Sequence, residues 1–503
     1  MGMAHAAMKQ QPHRVAVACT VLLLSLLLVR AAAAANAACM PGAGQGVGAP
    51  DLAVSGQAVP GQASSGQASS GQASSGQTGA QPAPPAQSGQ SIQSAQSVLA
   101  PGAPVRLGMS APFTGPGASL GRAFHRGAAS CLAQVNAEGG VHGRRVEIVA
   151  LDDGYDPERT VWNVIRLIED ERVFALFGLV GTPTVTRVLP LIGGHPDRAV
   201  PLLFPFTGAR PLSLPRHAGQ VFRLRAPYDM EFSALVERLR GAGCARIAVF
   251  YQADAYGREG WADLRDALAC HCLSLAAEAS YPRGTGSEAD FSEQAGLILK
   301  GRPDAVVCVG TDAACATFIR DLRDLSASLP PGPAIPVAMP SFVDSRHLLG
   351  LLADLGNAAR RDYTRDLVMV EVVPPCDGNL PAAVDFRRDM ARLAKVGYAP
   401  PEPDVAAGPD VAAGPDAVAS TPDEVSFEGY LAARLVVRAL ERMGPDPDPA
   451  GLAIALAGLD GCDLGVGLPY RHTHAVQGLG LVRFTTVRGG AVVELSDFSE
   501  LRR

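Results

Sequence analysis

The residues able to do chemistry gather in short segments between apolar runs. They are SAPFTGPGASL at 110–120, DDGYDP at 152–157, GTPT at 181–184 and FTGAR at 206–210, then 254–257, Thr311-Asp312 and 341–344. Hydroxyls, glycines and a few acids dominate them. Where such a segment opens a helix, unused backbone N–H groups and the helix dipole suit an anionic group such as a carboxylate. Chemistry beyond binding finds little support. Gly115-x-Gly117-x-x-x-Gly121 follows a strand and opens a helix, but its last spacing is wrong for a dinucleotide, and no nucleophile elbow or phosphate-binding loop occurs. Cys270-His271-Cys272 lacks the second pair a zinc site wants, and His472 with His474 has no third ligand near in sequence. The chain is read as having no catalytic residue, no metal and no cofactor.

Regular elements must position those segments. Apolar runs at 105–110, 146–151, 174–180 and 201–206 read as strands, with helical spacing at 120–136, 157–170 and 184–192 between them. After Arg223 the rhythm restarts, with strands at 246–251, 274–281, 305–309 and 336–339 and helices at 257–269, 291–299 and 313–325. Strands separated by helices of this length make βαβ units and parallel sheets. Two such series predict an α/β protein of two Rossmann-like lobes. Ligands of open parallel sheets sit beyond the carboxyl ends of the strands, where the segments above fall.

Composition bounds the remaining possibilities. With 47% hydrophobic and 18% charged residues, most of the 503-residue chain can bury a core. Three of the 43 basic residues are lysine and the net charge is −6, so no basic stripe is available to neutralise phosphates and nucleic acid is excluded as a partner. Lys9, His13 and Arg14 precede an apolar run at 15–29 and an alanine tract at 31–38, which reads as a signal peptide over residues 1–38 and predicts export to the periplasm. Ordinary cleavage competes with lipidation at Cys39, whose preceding Asn36-Ala37-Ala38 resembles a lipoprotein signal except at Asn36. Residues 39–103, with their GQASS repeats, read as a flexible linker, and 400–423, repeating PDVAAG, as a low-complexity insertion. Cys131, Cys308 and Cys315 lie in apolar contexts and are expected in the core.

The opening VRLGMSAPFTGPGASLGRAFHRGAASCLAQVNAEGGVHGRRVEIVALDDGYDPERT resembles that of type I periplasmic binding proteins of the leucine/isoleucine/valine class. FPFTGARPL, FRLRAP, IAVFYQADAYGREG and SFEGYLAARLVVRALERMG continue the resemblance in order, over about 104–485. It implies two lobes joined by a three-strand hinge, one from 104–225 plus 371–463 and the other from 226–370 plus 464–503. Arg223-Leu224-Arg225, 368–373 and 463–466 would form the hinge. It also implies no enzyme, but a monomer that takes a small amino acid or related carboxylate and passes it to the permease of an ABC importer.

Carried over onto this sequence, the site comprises eight positions. Thr182, Thr207, Gly208 and Ala209 would grip a carboxylate and amine, Tyr256 would face them from the second lobe, and Asp312 and Ser341 lie near further contacts. Phe427 would close a side-chain pocket. Each keeps a plainer reading, Thr182 as the cap of a helix with Pro183 at its first position, Asp312 as a cap, and Tyr256 as packing. Asp152 and Asp153 are expected to fix a turn, and Trp261 to pack against the sheet. Two departures matter: Leu120 stands where the family has Tyr, and Ser341 cannot supply the Glu that pairs with an α-amino group. Asp312 or Asp344 is left to replace it. Tyr155 and Gly181 occupy the two places where some relatives have a disulfide, so no bridge is expected. Alternatives are a membrane-tethered, ligand-sensing receptor of the same fold and a relative that has lost its site.

Overall fold

The computed structural model describes residues 99–100, 102–192, 200–330, 335–401, 421–473 and 477–502. The signal segment 1–38, Cys39, nearly all of the linker, the repeats of 402–420 and His474 lie outside the described residues. The first sheet joins β1 (Val105–Ala111), β2 (Val146–Asp152), β3 (Ala175–Phe177), β4 (Leu202–Leu203) and β5 (Val221–Phe222) in the order β2-β1-β3-β4-β5, all parallel. The second repeats that order with β6 (Ile247–Gln252), β7 (Leu275–Tyr281), β8 (Ala305–Val309), β9 (Val337–Met339) and β10 (Leu367–Glu371), again parallel. A small antiparallel pair, β11 (Arg471–His472) and β12 (Gln477–Gly478), stands apart from both. An antiparallel hairpin of β13 (Arg483–Arg488) and β14 (Ala491–Glu494) then extends the second sheet beyond β10.

Alternation along the strands explains why both sheets are covered on both faces. Ile247 and Val249 join a central core, while Ala248 and Phe250, one residue out of phase, join a second core on the opposite face. There Phe250 stacks on Phe318 at 3.9 Å and on Tyr281 at 4.9 Å. The first sheet divides likewise, with Leu107 in the central core and Leu176 and Leu202 in a third core under helices Pro157–Glu169 and Thr182–Ile192. Cys131, Cys308 and Cys315 are buried, unbridged core residues, as their contexts predict.

Helices start where local chemistry satisfies their first N–H groups. Asp156 accepts from the backbone of Glu158 at 2.8 Å and Arg159 at 3.1 Å, with Pro157 at the first turn. Asp423 and Ser426 form a reciprocal cap that opens helix Glu424–Met443. That helix crosses helix Ala118–Ala137 at very short range. A Cβ on Gly127 would lie 1.7 Å from the Ser426 carbonyl, and one on Gly429 would lie 2.1 Å from the Phe124 carbonyl. One glycine on each helix, set against the backbone of the other helix, therefore fixes this spacing.

The chain passes between the layers three times. The first passage follows β5 through residues 223–227, and the second leaves β10 for helix Pro381–Lys395. The third is displaced from its expected position at 463–466. Asp463 there organises a turn, accepting from Gly465 and Val466 at 2.8 and 2.9 Å, and the Gly465 carbonyl accepts from Ala382 at 3.0 Å. His472, further on, stacks on Phe222 of the first sheet at 5.4 Å. Passage into the second sheet comes only after Gly478, where the Leu479 N–H donates to the Leu224 carbonyl at 2.9 Å.

Candidate functional site

The carboxyl ends of β3 and β4 bring two hydroxyls together. Thr182 starts the helix after β3 and Thr207 follows β4, and their Oγ1 atoms lie 2.8 Å apart, both buried. The Thr207 hydroxyl also accepts from the Ala209 N–H at 3.2 Å, while the Gly208 carbonyl accepts from Tyr228 at 3.0 Å. Thr182, Thr207, Gly208 and Ala209 are thus one cluster.

Rings from both layers meet beside it. Phe342, just after β9, is the hub: Tyr256 lies 4.6 Å away between centroids, Phe206 5.8 Å and Tyr155 6.1 Å. Tyr228 joins through Tyr256 at 5.6 Å. Tyr155 and Tyr256 are buried with hydroxyls that have no hydrogen-bond partner, and burial raises both phenols well above their ordinary value, so they remain neutral donors. Tyr155 also accounts for Gly181. A Cβ there would lie 2.3 Å from the tyrosine ring, so the two positions are neighbours that a ring, in place of a bridge, now fills.

A buried ionic group lies next to the rings. Arg225 sits on the first passage, 1% exposed, with its guanidinium carbon 3.9 Å above the Phe206 ring. Its Nη2 donates to the Ser341 carbonyl at 3.2 Å and the Ser341 hydroxyl at 3.0 Å. Its Nε lies 3.2 Å from Glu428 Oε1 without aiming its hydrogen there, so this is a charge contact and not a hydrogen bond. The Nη1 donors have no partner either. Ser341 donates its N–H and hydroxyl to Glu231 at 2.9 and 2.7 Å. Burial pushes Glu231 up to about 7, against the pull of Arg225 and Ser341. A cavity of about 10 Å³, room for one water, adjoins Arg225, Ser341, Glu371 and Glu428.

The remaining expected residues are placed differently. Asp312 does not cap its helix; Thr311 does, accepting from Ala314 at 3.5 Å. Asp312 instead ties the layers, accepting from Ser119 at 2.8 Å and pairing with His347. Burial alone would lower the His347 imidazole, but its hydrogen bond to Asp312 and that carboxylate's charge raise it to about 9. Asp344 caps helix Ser345–Ala359, so neither aspartate replaces the missing glutamate; the carboxylate against Ser341 is Glu231. Phe427 closes no pocket, because its ring packs in the core on Phe386 at 5.0 Å. Asp152 and Asp153 fix the turn after β2, Asp152 holding Phe113 and Thr114 and Asp153 holding Ser110 and Thr160. Trp261 is half-buried against Tyr251 of the sheet and donates to Glu278 at 2.8 Å. Among the described residues, no group of three or more potential ligands could hold a metal ion.

Glu231, Tyr228 and Glu428 carry no expectation from the sequence, Arg225 is expected only in the hinge, and Phe342 only as part of the segment 341–344. The available signal was a second arginine in the otherwise apolar FRLRAP segment.

Three comparisons bear on this geometry. A family model described as periplasmic binding protein matches residues 104–491. An amino acid binding protein of Pseudomonas aeruginosa is 25% identical over 224 residues, 44% of this chain and 58% of that protein, so this chain spans under two thirds of the relative's length. Two crystal structures superpose with a TM-score of 0.65 at 26% identity. A possible leucine/isoleucine/valine-binding protein from Rhodopirellula baltica covers 80% of this chain and 98% of its own. A substrate-binding periplasmic protein from Ralstonia solanacearum covers 78% and 100%.

Proposed function

The chain belongs to the periplasmic binding protein family, and from that premise we propose that it captures a small amino acid or related carboxylate between its two layers for delivery to an ABC importer. Membership implies an extracytoplasmic location, and the relatives described above are binding proteins, not enzymes. The observation that carries the reading is the Thr182–Thr207 hydroxyl pair, set beside a ring cluster contributed by both layers. Hydroxyls and backbone N–H groups at helix starts fix a carboxylate, and rings from opposing layers enclose its body. The layers act as lobes, and the passages at 223–227, beyond β10 and beyond Gly478 serve as the hinge. The signal segment exports the chain, which works as a monomer with a membrane permease as its partner.

A thermal-shift screen of the purified protein against amino acids, amides, aromatic acids and short dicarboxylates tests this reading. A solute at a hundred times its Kd adds about 2.7 kcal/mol, a readily measured rise in Tm. Thr182→Ala and Thr207→Ala should each remove that rise. Binding undiminished in both variants would place the site elsewhere.

A further inference from the structure

Tyr155 reaches out of the first layer from the turn after β2. Its backbone is left-handed, with a φ of 64°, and Gly154 before it is left-handed too, at 55°. A bulky side chain rarely adopts that conformation, and such strain persists only where the surroundings hold it. The residue is 5% exposed and its hydroxyl has no hydrogen-bond partner, a second cost that an outward pose in water would not carry. Backbone and hydroxyl both work against the inward pose.

The second layer holds it there. Arg283 donates its Nη1 to the Tyr155 carbonyl at 2.8 Å, and its Nη2 lies 3.9 Å from Asp156. Phe342 faces the ring at 6.1 Å, and Asp254, Tyr228 and Tyr281 lie close enough to act on the phenol electrostatically. Further ties join the layers: Ser119 donates to Asp312 at 2.8 Å, and Arg210 pairs with Asp263 and, at 3.3 Å, with Asp266. All of these are groups of the chain itself.

The ring also stands where the hydroxyl pair is presented. It lies against Gly181, the residue before Thr182, where a Cβ would come within 2.3 Å of it. On its other side Phe342 packs against Phe206, the residue before Thr207, at 5.8 Å. Thr182, Thr207, Phe206 and Phe342 are each at most 1% exposed, so side chains and not open space surround the pair. The cavity beside Phe206 and Ser341 is about 10 Å³, whereas a solute pocket takes roughly 300 Å³ or more.

From this filling we infer that Tyr155 is a resident occupant of the solute site: the layers close on its ring, and a solute binds only by displacing it. The inference rests on the solute-binding reading and adds a condition of entry. While the ring is in place, only the fraction of molecules that have withdrawn it can bind, and the apparent affinity falls by that fraction.

Truncation tests this, because it acts oppositely on an occupant and on a ligand contact. Titration calorimetry on the purified protein, with phenylalanine, tyrosine and leucine as probes, compares the wild type with Tyr155→Ala and with Tyr155→Gly, which suits the left-handed backbone. Both variants should bind the aromatic probes at least about tenfold tighter than the wild type, or bind them where the wild type does not. Thr182→Ala added to Tyr155→Ala should remove the gain. A gain that survives would place the probe in a cavity unrelated to the hydroxyl pair and overturn the inference. Unchanged or weaker binding in both truncations would overturn it and leave the solute-binding reading intact. So would an equal gain in Tyr155→Phe, which keeps the ring. If no amino acid, amide, aromatic acid or dicarboxylate binds the wild type or any variant, both the inference and the reading fall.

Discussion

Single residues here do several jobs at once, and Asp312 is the clearest case. It lies at the start of a helix of the second layer, bonds Ser119 of the first, and holds the His347 imidazole protonated up to about pH 9. Asp312→Asn removes the charge and keeps the size. The His347 pKa should then fall well below about 9, because burial pushes it down and of the groups that raise it only the Asp344 charge remains, as NMR titration would read. A histidine still titrating near 9 would mean another group holds it. The sequence made Asp312 visible but not its role, since nothing local relates it to Ser119, 193 positions earlier. The same limit applies to Arg225, legible as a hinge residue but not in its contacts. Its neighbours come from a passage between layers, a helix start, the loop after β9 and helix Glu424–Met443, and only the assembled fold makes them adjacent.

Elements were far more legible than their contacts. Helix Pro157–Glu169 announces itself by Asp156-Pro157, and β8 spans the apolar run expected of it at 305–309. Local patterning carries that information, because period-2 and period-3.6 burial are properties of the segment alone. The hairpin of β13 and β14 has no counterpart among the strands the sequence predicts, and the third passage lies beyond 463–466, since Asp463 makes a turn that stays with the first layer. The approach of helices Ala118–Ala137 and Glu424–Met443 depends on Gly127 and Gly429 at the crossing. Gly127→Ala would drive a methyl into the Ser426 carbonyl and should cost about 2 kcal/mol or more, read as a lower urea midpoint. An unchanged midpoint would mean that the helices can separate freely.

At the scale of the molecule, four buried acids act in one direction. Burial pushes Asp153, Glu231 and Asp344 up to about 7 and Glu371 up to about 8. A carboxyl raised in this way takes its proton earlier folded than unfolded, so it favours folding as the pH falls towards its ordinary value and disfavours folding as the pH rises through the folded one. His347 adds the same sign, because its contribution is complete below 6.5 and is lost as the pH rises through about 9. His125, which burial lowers to about 4, opposes them, losing its contribution as the pH falls from 6.5. Calorimetry should therefore give a higher Tm near about pH 5.5 than near about pH 8.5. A Tm that rises with pH over that window would contradict this account of the interior. The three passages between the layers are stitched side by side, Leu479 to Leu224 at 2.9 Å and Arg483 to the Val373 carbonyl at 2.7 Å. Three separate cords would let two bodies swivel in any direction, whereas cords fastened edge to edge make a strap, which folds along one line and resists shear and twist. On the proposed function, the layers would then have a single axis about which to part, and every opening would return the same faces to register.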